Sequence, residues 1–203
     1  KEAKSIGIKH AELLMPYFLP WRDRPLELNQ EDQKNFLCDV TFIGHYENDG
    51  REKYIQALAR SNINFKLWGG GYWTKEVLGD AYDLLMPINS VYGEEYVKAI
   101  NGSKICLCFL SKINRDKYTR RCFEIPAMGR VLLSERTDEL SSFYIENKEA
   151  VFFSSVEEMM EKIEWLLKNP DICNNIGKAG MKKSWDAGFD IHSRTKVFLG
   201  QIH

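Results

Sequence analysis

The sequence has 203 residues, of which 44% are hydrophobic and 28% charged, and its formal net charge at pH 7 is -1. This length fits one good-sized domain, or one domain with an appendage, and the composition is that of a globular protein able to bury a full core. A nearly neutral chain has no overall field that attracts polyanions. We therefore expect neither nucleic acid nor an anionic membrane as a partner.

The cysteines, five in all, are odd in number and include no CxxC pair. Cys106 and Cys108 alternate within an apolar stretch and are expected to share one face of a strand. The pattern favours buried, reduced thiols over disulfides, and so predicts a reducing compartment, the cytoplasm. No apolar stretch reaches the length of a membrane span, so no integral membrane segment is expected.

The beginning of the chain differs from the rest. Pro16, Pro20 and Pro25 interrupt an aromatic-rich stretch at 17–21, which therefore cannot form one long helix. This segment is interpreted as a connector lying on a surface. The chain also opens at Lys1 without a methionine or a signal-peptide pattern, so we expect it to be a piece of a longer protein.

From Asp39 onward, strand-like and helix-like stretches alternate. Strands are predicted at 40–43, 64–68, 104–110, 130–134 and 150–153, and helices at 51–60, 94–101, 121–128 and 156–167. Pro126 is expected in the first turn of its helix. Ser154 and Ser155, followed by Glu157 and Glu158, predict a capping box before the last of these helices.

This alternation predicts an α/β fold with a parallel sheet of about five or six strands and helices on both faces. Ligands of such sheets bind at the carboxyl ends of the strands. A functional site is therefore expected in the loops after Ile43, Trp68, Leu110 and Ser134.

The segment from Ser111 to Arg121 is the strongest local feature. It carries five basic residues and one acid between a buried strand and a helix: Lys112, Arg115, Lys117, Arg120 and Arg121, with Asp116. A helix N-terminus has free backbone N–H groups and a partial positive charge, which favour a phosphate, and the basic side chains would reinforce that preference. For a run of charges alone, a solvated basic loop is the competing interpretation.

The residues that follow resemble a known signature. The stretch 121–134 contains Arg-x-Phe-Glu, then Ala-x-Gly, then an apolar strand, and an acidic segment follows at 135–140. It resembles the C-terminal domain of GT-B glycosyltransferases, with the spore-maturation-protein-like branch as the best match. The resemblance implies a Rossmann-like domain at 37–203, the C-terminal half of a GT-B fold, which binds a nucleotide-diphosphate sugar as donor substrate without cofactor or metal. It also implies that residues 1–36 are a linker and the remnant of a preceding acceptor domain.

The resemblance also assigns roles to individual residues. In the related enzymes two acids separated by seven residues flank the donor site, and here Asp116 and Glu124 occupy those positions. Glu124 would accept the ribose hydroxyls, and Asp116, an aspartate where a glutamate is usual, would lie near the transferred sugar. The assignment makes Asp116 and Arg121 catalytic, with the arginine stabilising charge on the leaving diphosphate. Further donor-binding candidates are Gly44, His45, Arg51, Ser111, Thr119 and Arg120. For Glu124 the competing interpretation is an ordinary helix residue paired with a nearby arginine.

Other candidates carry a weaker signal. Tyr72 and Trp73 follow a triple glycine and are expected either to stack on a base or to be buried against a neighbouring domain. His10, His192 and His203 do not have metal-ligand spacing with one another or with the cysteines, so no metal site is predicted.

Two other functions remain open at this stage. A nucleotide-sugar epimerase of the same architecture would also place Glu124 on the ribose, and its product would be an epimerised sugar nucleotide rather than a transferred sugar. A non-catalytic Rossmann-type binding module would keep its role after loss of Asp116 and Glu124. For a transferase, we expect this single domain to bind nucleotide weakly and to transfer nothing alone.

Overall fold

A sheet of five parallel strands forms the centre of the fold. The computed structural model describes residues 5–7 and 15–202. The strands are β1 (Cys38–Ile43), β2 (Phe65–Trp68), β3 (Ser103–Cys108), β4 (Val131–Glu135) and β5 (Val151–Phe153). Their order across the sheet is β2-β1-β3-β4-β5, and every neighbouring pair is parallel. The predicted parallel α/β sheet is confirmed, and no strand end differs from the predicted one by more than two residues.

The helices of the described residues precede, connect and follow these strands. They are α1 (Gln30–Phe36), α2 (Glu52–Ala59), α3 (Lys75–Leu78), α4 (Ala81–Leu85), α5 (Gly93–Asn101), α6 (Arg121–Ala127), α7 (Asp138–Phe143), α8 (Val156–Lys168), α9 (Pro170–Asp186) and α10 (Ile191–Ile202). A 3₁₀ turn at Gly70–Tyr72 follows β2. The predicted capping box is present, since the Ser155 hydroxyl accepts the Glu158 N–H and the Glu158 carboxylate accepts the Ser154 N–H. None of the described helices is long and apolar enough to cross a bilayer.

Alternation along the strands buries both faces of the sheet. In β3, Cys106 and Cys108 belong to a core that includes residues of α5 and α6. Ile105 and Leu107 belong to the other core, which includes residues of α2 and α8. Helices therefore cover both faces, as predicted. All five cysteines are buried and free, which confirms the expected burial of the thiols.

The prediction for Pro126 was wrong. The residue is the sixth of the seven residues of α6, in the last turn rather than the first. Pro126 has no N–H to donate to the Cys122 carbonyl, so the helix lacks that one hydrogen bond, and it ends one residue later. Gly129, with φ of 76°, terminates the turn, and its N–H donates to the Pro126 carbonyl at 2.8 Å. Glycine adopts this left-handed conformation without steric cost.

Two glycines of α9 fix the position of α6 at this end. A Cβ at Gly177 would lie 2.5 Å from the Gly129 carbonyl oxygen, and one at Gly180 would lie 2.4 Å from the Glu149 carbonyl oxygen and 3.5 Å from Pro126 Cβ. Only residues without a side chain allow α9 to approach the backbone this closely. The helix that carries Glu124 is thereby held against the rest of the domain.

The segment before β1 is packed against the domain as far as it is described. The Phe18 N–H donates to the Phe189 carbonyl at 3.1 Å, and the Ile191 N–H donates back to the Phe18 carbonyl at 3.1 Å. The Phe18 ring is fully buried and lies 4.8 Å from the Trp185 ring. The predicted division of the chain at residue 36 stays a prediction, and much of the stretch before Met15 lies outside the described residues.

Replacing Gly177 with alanine tests the close packing of α9. The new methyl group would collide with the Gly129 backbone, and we expect the free energy of unfolding to fall by about 1–3 kcal/mol. Chemical denaturation measures the change. The matched control is Gly200→Ala in α10, where a Cβ meets nothing within 4 Å; helix propensity predicts no loss there and a gain of up to about 1 kcal/mol. Equal stability of the two variants would contradict the packing argument.

Candidate functional site

A cleft of about 480 Å³ lies at the carboxyl edge of the sheet. It opens where β1 and β2 end, opposite the first turn of α6. Its walls are formed by Ile43–His45, Trp68 and Gly69, Tyr72, Ser90–Gly93, Tyr96, Thr119–Arg121, Glu124 and Arg22. Six of the nine predicted site residues line this cleft: Gly44, His45, Thr119, Arg120, Arg121 and Glu124.

The Glu124 carboxylate is the buried charge of the cleft, with only 5% of the residue exposed. Its Oε1 accepts a hydrogen bond from Arg22 Nη2 at 2.6 Å and forms an ion pair with Arg120 Nε at 2.7 Å. Its Oε2 accepts from the Tyr96 hydroxyl at 2.6 Å. Burying a carboxylate is costly unless it is paired and hydrogen-bonded, and these three groups supply that compensation. Glu124 does pair with a nearby arginine, Arg120 at the N-cap of its helix, as the competing interpretation expected, but it does so facing the cleft.

Tyr96 was not recognised from the sequence. It lies on α5, and burial, followed by the charge of Glu124, raises the pKa of Tyr96 well above its usual range. The hydroxyl therefore keeps its proton and remains a hydrogen-bond donor to the carboxylate. Nothing in the local sequence marks it, because its partner is 28 residues away along the chain.

Arg22 was also missed, since it lies in the segment interpreted as a connector. Its Nε is 2.6 Å from Asp23 Oδ1, and the hydrogen bond to Asp23 is the main reason that the pKa of Arg22 is raised. Asp23 is fully buried and also accepts the Leu19 N–H at 2.7 Å. This turn presents the Arg22 guanidinium to the cleft.

The basic residues of the predicted loop do not all lie at the cleft. Arg120 and Arg121 face the cleft, whereas Lys112, Arg115 and Lys117 do not. Arg120 lies with its guanidinium 5.2 Å from the Tyr17 ring and pairs with Glu124. Arg121 shows no ion pair within the part of the chain that the structure describes. Since α6 has only seven residues, we attribute the positive potential of the cleft to the arginines rather than to the helix end.

Gly44 lines the cleft, but its backbone is already hydrogen-bonded. Its N–H donates to the Trp68 carbonyl at 2.8 Å, and its carbonyl accepts from Trp73 Nε1 at 2.7 Å. A side chain at this position would meet the Phe42 ring at 2.8 Å. The glycine therefore keeps the floor of the cleft compact, and its N–H is not free for a phosphate.

The rim of the cleft is aromatic. His45 lies with its ring 5.4 Å from the ring of Tyr72, and Tyr72 is 66% exposed. Trp73 is buried, with 1% exposure, against β1. Trp73 is thus buried, as one of the two expectations had it, but within its own domain rather than against a neighbouring one. Tyr72 is accessible to a ligand.

Arg51 lies outside the cleft. It is 5% exposed and binds Asp49 through Nε at 2.9 Å and Nη2 at 2.7 Å, while Nη1 donates to the His45 carbonyl at 3.2 Å. These bonds close the loop from 45 to 51. They lower the pKa of Asp49, even though burial alone would raise it and is the largest single influence. Arg51 therefore stabilises the loop that follows His45.

Ser111 and Asp116 lie in another, smaller depression of about 320 Å³ beside Glu135. The Ser111 hydroxyl accepts the Asn114 N–H at 3.2 Å, and the Ser111 carbonyl accepts the Asp116 N–H at 2.9 Å. Burial raises the pKa of Glu135, which accepts the Leu110 N–H at 2.6 Å. The two acids of the predicted pair, Asp116 and Glu124, therefore do not face the same cleft.

Within the described residues, no group of three or more histidine, cysteine, aspartate or glutamate side chains is arranged to hold a metal ion. His192 is exposed and stacks near Trp21, at 5.7 Å between ring centres. His10 and His203 lie outside the described residues.

A five-stranded parallel sheet with a charged cleft at its carboxyl edge defines a Rossmann-like ligand-binding domain. The chain belongs to the glycosyl transferase-like family, whose model matches residues 51–200. No curated protein sequence matches the chain at a significant level.

Solved structures of glycosyltransferases share this fold. The C-terminal domain of a glycosyl transferase group 1 family protein from Francisella tularensis superposes with a TM-score of 0.67 at 13% identity, over 86% of this chain and 99% of that one. A glycosyltransferase from Rickettsia africae gives 0.73 at 13% identity, over 92% of this chain and 55% of that one. Anabaena HepE in complex with UDP-glucose gives 0.71 at 9% identity, over 92% and 55%. This chain thus spans about half the length of the last two.

These similarities confirm the expected fold, that of the C-terminal Rossmann-like domain of GT-B glycosyltransferases, and the family match confirms the class of enzyme. The spore-maturation-protein-like branch stays a prediction, as do the roles of the individual site residues.

Replacing Tyr96 with phenylalanine tests the hydrogen bonding of Glu124. The buried carboxylate loses one donor, and we expect the free energy of unfolding to fall by about 1–3 kcal/mol. The control is Tyr92→Phe, on the same wall of the cleft but 77% exposed, for which a change within about 0.5 kcal/mol is expected. Denaturant unfolding of both variants measures the difference. A Tyr96 variant as stable as its control would show that the hydroxyl does not support the carboxylate.

Proposed function

We propose that this domain binds the nucleotide-diphosphate part of a sugar donor, for transfer of the sugar to an acceptor. One observation carries the proposal: a buried carboxylate, and an arginine that has no ion pair among the described residues, face the same cleft at the carboxyl edge of the sheet. A nucleoside diphosphate presents the complementary groups, a pair of ribose hydroxyls and a short chain of phosphates.

The ribose is assigned to Glu124. Vicinal hydroxyls donate charge-assisted hydrogen bonds to an ionised carboxylate, and such bonds are stronger than neutral ones. Tyr96 and Arg120 hold the carboxylate in place before the ligand arrives, so little ordering is required of it on binding. Tyr72, exposed at the rim, is the surface on which a base can stack.

The diphosphate is assigned to Arg121. A guanidinium recognises phosphate oxygens through two parallel hydrogen bonds, and charge that builds on the leaving diphosphate is stabilised by a cation fixed in advance. We propose no cofactor and no metal for this role. Asp116 lies in the neighbouring depression, so we assign it to neither ribose nor diphosphate, and its place near the transferred sugar rests on the resemblance alone.

The rest of the reaction is assigned to a second domain. Because the chain spans about half of the full-length structures it resembles, we propose that a preceding domain binds the acceptor and completes the site. A cytoplasmic location fits the five buried, unpaired thiols.

A thermal-shift panel of UDP, GDP, ADP and TDP tests the nucleotide site. A ligand present at a hundred times its dissociation constant adds about 2.7 kcal/mol of stability to the folded domain. We expect one base to give the largest shift, and Glu124→Gln to abolish it. Glu139→Gln, on exposed α7, is the matched control and should keep the shift.

The unliganded variants are melted first, so that a folding defect in Glu124→Gln is recognised separately. A full nucleotide shift in a folded Glu124→Gln protein would overturn the ribose assignment. An epimerised sugar nucleotide as the product of the longer protein would contradict transfer.

The Arg121→Met substitution tests the diphosphate assignment. We expect UDP affinity to fall about tenfold or more, because a hydrogen bond between charged groups is lost, while uridine affinity stays unchanged. Isothermal titration with both ligands separates the two effects. The control is Lys117→Met, which removes an exposed positive charge from the same loop but outside the cleft. An equal loss for UDP and uridine would place Arg121 away from the phosphates.

A further inference from the structure

One side chain of the cleft carries a hydrogen-bond donor that the fold does not use. Trp68 is the last residue of β2 and lines the cleft. Its indole Nε1 is buried from solvent and donates to no acceptor among the described residues. Most buried polar groups of native proteins have a hydrogen-bond partner, because an unpaired one costs free energy. Such a donor beside a ligand cleft points to an acceptor that the ligand brings.

The position of Trp68 is fixed by other contacts. Its carbonyl accepts the Gly44 N–H at 2.8 Å, and the Gly69 N–H next to it donates to the Asn89 carbonyl at 3.0 Å. The Trp68 ring lies 5.7 Å from the Phe36 ring, measured between ring centres. These contacts hold the residue without occupying its N–H, so the donor is positioned before a ligand binds.

The surroundings of Trp68 suit a heterocyclic base. A further cavity of about 750 Å³ is also lined by Trp68 and shares Ser90 and Val91 with the cleft. Tyr72, to which base stacking is assigned, lies in the 3₁₀ turn that follows β2. This part of the cleft therefore offers an exposed aromatic ring for the face of a base and a buried donor for its edge.

We propose that Trp68 selects the base of the sugar donor by donating its indole N–H to a carbonyl of the base. The domain then prefers uracil or a 6-oxopurine to cytosine or adenine, which carry an amino group at the corresponding ring position. This inference rests on the proposed nucleotide role of the cleft. Because the N–H is covered in the empty cleft, the base reaches it when the exposed side chains of Ser90 or Tyr92, which also line the cleft, move aside.

The preference follows from what each base does to the buried donor. A carbonyl supplies an acceptor to the N–H, and because Nε1 is buried from solvent, no hydration has to be removed from it. An amino group brings a second donor and leaves the N–H unpaired. A site with a buried polar group strongly rejects a ligand that leaves this group without a partner.

The experiment measures two matched pairs of nucleotides by isothermal titration, UDP with CDP and inosine diphosphate with ADP. In each pair the first nucleotide has a carbonyl where the second has an amino group. In the pair that binds more tightly, we expect the unmodified domain to bind the carbonyl nucleotide about tenfold or more tightly than its partner, the range for a buried donor left unpaired.

The Trp68→Phe substitution assigns the preference to the indole. It removes the donor and keeps an aromatic ring, so we expect the preference within the pair to disappear. The control is Trp21→Phe, at a residue that is 59% exposed and does not line the cleft, and it should keep the full preference. Ligand-free melting shows whether each variant is folded, and the pairs measured on the unmodified domain test the inference without any variant.

Three results overturn the inference: equal affinities within the more tightly bound pair, a preference for its amino nucleotide, or a carbonyl preference that a folded Trp68→Phe variant retains. Failure of the proposed function has a different signature, since the domain would then bind none of the four nucleotides, or would bind them equally well after Glu124→Gln. Binding that depends on Glu124 but shows no preference within the pairs contradicts the base contact alone.

Discussion

The need to compensate one buried carboxylate organises this site. Glu124 is placed in the first turn of α6 with 5% of its surface exposed, and an isolated charge in that position is too costly to keep. Its partners come from three separate parts of the chain: Arg120 from the same turn, Tyr96 from α5, and Arg22 from the segment before β1. The cleft therefore forms only when these three parts are brought together, so the fold and the ligand site depend on the same contacts.

These contacts of Glu124 require a fixed position of α6, and packing at the C-terminal end of α6 supplies it. Gly177 and Gly180 let α9 lie against the Gly129 turn and the Glu149 backbone, at distances that leave no room for a methyl group. The apolar residues of α6 fill the core on the same face of the sheet as Cys106 and Cys108. The polar end of the helix is consequently presented at the carboxyl edge, where parallel sheets bind their ligands.

Much of this could be predicted from the sequence, because local periodicity is determined by neighbours in the chain. The alternation of side chains along β3 predicted that Cys106 and Cys108 share one face of the strand. The Arg-x-Phe-Glu motif singled out Glu124, which lines the cleft. Long-range partners left no such signal: Arg22 is 102 residues from Glu124. Spacing in the sequence also does not settle where two side chains lie. Asp116 and Glu124 are close in sequence but line different depressions. A motif states how far apart two side chains are along the chain, and the path of the loop decides where they point.

The charge of the cleft follows from the same compensation. The chain as a whole is nearly neutral, with a formal net charge of -1, so no overall field draws an anion to it. The residues that line the cleft include three arginines and one glutamate. Asp23, which pairs with Arg22, is buried behind it. Arg22 and Arg120 pair with Glu124, and Arg121 is the arginine of the cleft for which the described residues supply no ion pair. The carboxylate that would receive a ribose is thus also the reason that positive charge is concentrated where a diphosphate would lie. In the proposed assignment, a single buried acid accounts for both the ribose contact and the positive charge that would meet the diphosphate.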